Sequence, residues 1–152
     1  MSSSPLSRAV VGFIAGAVAV LVFHQGMLAV LHATGVVPRS PYSFMPTHPF
    51  GVPAVLSAAF FGGLWGAVML LALPARMAHG PGFWLAGLVF GAILPTAVAL
   101  VVVLPLKGQP MGGGWQASRI VVGLLVNGAW GVGTALIAEG LLRLTRRTAP
   151  GA

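Results

Sequence analysis

Apolar residues fill this chain in four long blocks, separated by short breaks rich in proline and glycine. The blocks are Ala9–Leu31, Val52–Leu73, Phe83–Leu106 and Ile120–Leu142, each of 22 to 24 residues. At a rise of about 1.5 Å per residue such a helix is about 33–36 Å long, enough for a hydrocarbon core of about 30 Å. The pattern predicts an all-α integral membrane protein. Residues 1–152 form a single domain, a four-helix up-down-up-down bundle.

Within the blocks, small residues recur every fourth position. Span 1 has Gly12 and Gly16, span 2 has Gly62, Gly63 and Gly66, span 3 has Gly87 and Gly91, and span 4 has Gly123, Asn127 and Gly131. Such stripes let helix backbones approach closely. Asn127 is a candidate interhelical hydrogen bond. Trp65, near the middle of span 2, needs a partner for its indole N–H. Pro95 removes a backbone hydrogen bond and predicts a kink in span 3. The short break between spans 2 and 3 predicts that they are antiparallel neighbours. No repeat of fixed short period is evident, spans 1–2 and 3–4 can form hairpins of like shape but show no convincing sequence similarity, and an inverted repeat is not supported.

The longest break, 33–51, reads ATGVVPRSPYSFMPTHPFG. Its four prolines exclude helix and predict an extended cap over the outer end of the bundle. The polar tail Met1–Ser7 predicts fraying. Arg8, the following apolar run and Ala17-Val18-Ala19 invite comparison with a signal peptide. The hydrophobic run continues past that triplet, so a retained span is expected.

Composition narrows the chemistry. Hydrophobic residues make up 57% and charged residues 6% of the chain, which is too little charge for the surface of a soluble domain. No cysteine is present, so thiol redox and thiolate metal sites are excluded. The net charge of +7 does not predict nucleic-acid binding, because the basic residues flank apolar blocks as lipid anchors. Arg143, Arg146 and Arg147 form the one cluster, placed to meet anionic lipid. Arg8, Arg76, Arg143, Arg146 and Arg147 fall on one side and Arg39, Lys107 and Arg119 on the other. That bias predicts a multi-pass protein of the inner (plasma) membrane with both termini cytoplasmic.

Candidate chemistry is sparse. Glu139, the sole acid, precedes Arg143 by four residues, a spacing for a helix ion pair. It is also the one carboxylate available for a proton relay. His24, Gln25 and His32 can share a face of span 1 that points into the bundle. On the outer side His24, His32, His48, Met27, Met45 and Met111 offer soft ligands for a copper-type metal. They lack HxH or MxxM spacing and an orienting carboxylate. Span 1 alone has a histidine inside the membrane, so the chain cannot supply facing axial ligands to haem. A Ser-His-Asp set is impossible without aspartate, HExxH is absent, and the glycines after Lys107 lack a GKS or GKT sequence.

The run VFHQGMLAVLHATG, followed by PRSPYSFMPTHPFGVP, resembles a family of small four-span bacterial inner-membrane proteins, mainly over the first half of the chain. The resemblance implies four spans and carries no assigned activity. Together these features predict a non-enzymatic membrane component without a cofactor. Its expected partners are the lipid bilayer, further copies of itself or a larger complex. The alternatives are a small oligomeric proton-coupled transporter or permeability factor, and an outer-face metal-binding protein.

Overall fold

The computed structural model describes residues 4–148, except for the side chains of Arg76, Arg146, Arg147 and Thr148. Arg146 and Arg147 of the predicted cationic cluster therefore lie outside the described side chains. The chain is 77% helical. Four helices are long and apolar enough to cross a membrane: α1 (Pro5–Ala33), α2 (Ala54–Ala72), α3 (Gly80–Leu106) and α4, whose apolar part is Ala117–Thr145 and which runs on to Thr148. The first three have mean hydropathies of 2.2, 2.0 and 2.5, and α4 has 1.9.

The helix ends differ from the predicted blocks for local reasons. α1 begins four residues before Ala9, because Ser4 is an N-cap that accepts the Ser7 amide at 3.2 Å and Pro5 occupies the first turn. Pro5–Ser7 are thus helical, not frayed. α2 begins two residues late, because Val52–Pro53 (β2) pair antiparallel with Pro46–Thr47 (β1). α3 starts at Gly80, with Pro81 in its first turn. α1 and α3 each contain a π-helical segment, Val20–His24 and Ala99–Val103. Pro95 sits within regular α-helix, and the helix departs from α geometry four residues later.

α1 packs along α2, and α3 along α4. A β-carbon placed on Gly12 would overlap the carbonyl of Gly66, and one on Gly16 the carbonyl of Gly62. Position rises on one helix as it falls on the other, so the pair is antiparallel. In the second hairpin a β-carbon on Gly87 would lie 2.6 Å from the Gly131 oxygen, and one on Gly91 would overlap the Asn127 oxygen. Gly63 differs, because a β-carbon placed on it would lie 2.8 Å from the edge of the Phe13 ring. A β-carbon placed on Gly123 would lie 2.9 Å from the Thr96 methyl.

Against the expected lack of similarity between spans 1–2 and 3–4, these contacts follow one register in both hairpins. α1 and α3 both carry GxxxGA, at Gly12–Ala17 and Gly87–Ala92. α2 and α4 both carry GxWG, at Gly63–Gly66 and Gly128–Gly131. Gly12 meets Gly66 as Gly87 meets Gly131, and Gly16 meets Gly62 as Gly91 meets Asn127. The repeat runs in the same chain order in both hairpins, so it is not an inverted one.

The hairpins join through α1 and α4. Ala15, Ala19, Ala135 and Ala138 are all fully buried. Phe23 lies over Gly133, and the buried Trp130 indole donates to the Gly16 carbonyl at 3.0 Å. α2 and α3, expected as close neighbours, touch little. Their principal meeting is Trp65 edge-on to Phe90, with ring centroids 6.0 Å apart.

Gly66→Ala is expected to destabilise the bundle by about 1–3 kcal/mol, the usual cost of overpacking. Gly26→Ala, with nothing within 4 Å of the added carbon, should be neutral or better. Thermal unfolding of the two variants in bicelles checks the contrast.

Candidate functional site

The polar residues within the helices form three separate groups. The first lies where the 33–51 loop meets α1. The π segment at Val20–His24 disturbs the regular helical bonding pattern, and such segments are frequent at functional sites. The Tyr42 hydroxyl donates to the Leu21 carbonyl at 2.8 Å. The Tyr42 amide donates to Gln25 Oε1 at 2.8 Å, and Gln25 is buried. Tyr42 adopts φ +53°, a left-handed backbone that is strained for a bulky residue. A hydroxyl and an amide reaching one helix therefore hold that strain in place. The loop continues into the β1–β2 pair, whose connecting turn includes a cis His48–Pro49 bond and Gly51 at φ +67°.

His24 lies beside this junction. Its Nδ1 is buried without a hydrogen-bond partner, the one such side-chain atom among the described residues. His32 is exposed and its Nδ1 contacts the Val37 carbonyl at 3.1 Å. His48 is exposed in the turn. The predicted shared face of His24, Gln25 and His32 thus divides into an unpartnered imidazole, a buried loop anchor and a surface residue. Among the described residues no three His, Cys, Asp or Glu side chains are grouped to hold a metal ion.

The second group is centred on Glu139, which is 5% exposed. Its Oε2 accepts Trp84 Nε1 at 2.7 Å. Its Oε1 accepts the Gly80 amide at 3.2 Å and the Arg143 guanidinium. The Arg143 pair follows from the four-residue spacing. Trp84 and Gly80 escape a sequence reading, because they reach Glu139 from 55 and 59 residues away. The carboxylate ties the start of α3 to the end of α4. In the first hairpin Arg8 does the corresponding work: its guanidinium donates to the Leu70 and Leu73 carbonyls, which end α2.

The third group is interior. Asn127 Nδ2 donates to Thr96 Oγ1 at 2.9 Å, joining α4 to α3 as expected of a buried amide. Thr134 Oγ1 donates to the Trp130 carbonyl at 2.9 Å. The three groups do not converge on a shared cavity. A cavity of about 260 Å³ beside α3 and α4 is lined by Thr96 and by apolar residues such as Ile93, Leu100, Trp115 and Leu124. Comparison with protein-family models, curated proteins and solved structures yields no match to this chain.

Glu139→Ala is expected to leave the Gly80 amide and the Trp84 indole without their acceptor, at a cost of about 1–3 kcal/mol. Glu139→Gln, which keeps an acceptor, should cost less. His24→Leu should be neutral or stabilising, because it removes a buried polar atom that has no partner. Unfolding midpoints of the three variants in one detergent check the order.

Proposed function

We propose that the protein is a non-enzymatic membrane component: a four-span, up-down-up-down bundle of the inner membrane with both termini cytoplasmic. Its role is to assemble with itself or with a larger membrane complex. The observation that carries this reading is that its one carboxylate and most of its interior polar groups are already paired, the His24 imidazole being the buried exception. Glu139 has three donors, Asn127 has Thr96, Gln25 has Tyr42 and Trp130 has Gly16. A catalytic or transporting carboxylate needs a free valence toward substrate or solvent. Glu139 instead acts as a clasp. The surface offered to a partner is the loop, which presents Phe44 at 72% and Phe50 at 86% exposure, with Met45 between them in sequence. Exposed aromatic and methionine side chains are typical of contact surfaces.

A second reading is a small proton-coupled transporter, and the unpartnered His24 imidazole is the feature that favours it. The two readings separate in one set of measurements. Native mass spectrometry from membranes should show the chain in an assembly that Phe44→Ser with Phe50→Ser dissolves and Glu139→Gln leaves intact. A solitary wild-type chain, together with proton flux in proteoliposomes that vanishes in His24→Ala, would establish the transporter instead.

A further inference from the structure

The two hairpins repeat one set of contacts, but the seams between them differ. At the α1–α4 seam the Trp130 indole lies across Gly62, where an added β-carbon would come within 3.2 Å of Nε1, and donates to the Gly16 carbonyl. The repeat assigns each of these a counterpart at the α2–α3 seam. Trp65 stands for Trp130, Gly91 for Gly16 and Asn127 for Gly62. Trp65 has not taken the corresponding place. It contacts the Phe90 ring, and its indole N–H has no acceptor among the described residues.

Two substitutions within the repeat explain the difference. Gly62 leaves room for an indole, whereas Asn127 carries a side chain, held there by Thr96. The Gly16 carbonyl already accepts the Val20 amide before it receives Trp130. Gly91 is four residues before Pro95, which has no amide hydrogen to give it. The α2–α3 seam therefore holds an indole donor without an acceptor and a carbonyl without its helical donor. In lipid, neither group finds water as a substitute.

We infer that the α2–α3 seam is a lateral gate whose closed form pairs the Trp65 indole with the Gly91 carbonyl, and that the Asn127–Thr96 pair holds it open. In the open form Phe61, Leu64, Trp65 and Val68, all on α2, line a shallow groove of about 230 Å³. Closure brings α2 onto α3 as α4 lies on α1. The counterparts of Gly133 and Phe23 are Val68 and Val98, and these then become neighbours. Val68 is 48% exposed in the present structure, so it is not covered by α3. The gate is a property of the seam and holds under either functional reading.

The absence of native cysteine makes the test direct. Val68→Cys with Val98→Cys is introduced into the full chain, and oxidative cross-linking is followed in native membranes with Asn127 present and with Asn127→Gly. The expected result is a rise in cross-linking of about threefold on Asn127→Gly, the ratio supplied by one interhelical hydrogen bond of about 0.6 kcal/mol. Trp65→Phe, which removes the donor and keeps a ring, should abolish the rise. Phe23→Cys with Gly133→Cys reports the α1–α4 seam in the same backgrounds and should be unchanged. Unaltered 68–98 cross-linking on Asn127→Gly, or a rise that survives Trp65→Phe, overturns the gate. Loss of the 23–133 cross-link also overturns it, because Asn127 would then support the whole bundle rather than one seam.

Discussion

The structure depends on helix backbones that touch. At Gly12, Gly16, Gly66, Gly87, Gly91 and Gly131 the space a β-carbon would need is taken by the carbonyl or α-carbon of the facing helix. Apolar helices in lipid gain little from leaving it, so their association rests on close packing and on short contacts between α-carbons and carbonyls. Large apolar side chains can then face outward without loss. Phe60, Phe61, Leu85 and Ile93 are more than half exposed, as expected of a chain whose proposed surroundings are hydrocarbon. The order seen in water-soluble proteins is thus inverted: small residues form the seams and bulky ones form the surface.

Close contact brings a second requirement. Where backbones meet, few side chains are available to satisfy helix ends or stray polar atoms. The chain meets the need with contacts that span large sequence distances. Arg8 closes the end of α2, Glu139 gathers the start of α3, Tyr42 and Gln25 fix the loop to α1, and Trp130 links the hairpins. Arg8 and Glu139 join helices already held by glycine packing, whereas Tyr42, Gln25 and Trp130 join elements that are not. The polar groups therefore set register and ends, while the glycines set separation.

Much of this could be read from the residues in order. The four apolar blocks, the glycine spacing, the Asn127 bond and the Glu139–Arg143 pair all follow from intervals of three, four or about twenty residues. Partners far apart in sequence could not be read that way. Nothing local marks Trp84 as a ligand of Glu139, or Tyr42 as the residue that holds the loop. The π segments were equally hidden, because Val20–His24 and Ala99–Val103 look like ordinary apolar helix in sequence. The duplication escaped for a different reason. GxxxGA and GxWG are short motifs in a chain with 22 glycines, and only the shared contact register gives them meaning.

The Arg8 guanidinium on the last carbonyls of α2 constrains biogenesis. Its acceptors lie 62 and 65 residues downstream, so they do not exist until α2 has been synthesised. Until α2 is synthesised and turned back, Arg8 lacks both of these acceptors. The contact therefore belongs to the complete hairpin and not to α1 alone. Folding of the amino-terminal segment is tied to completion of its successor.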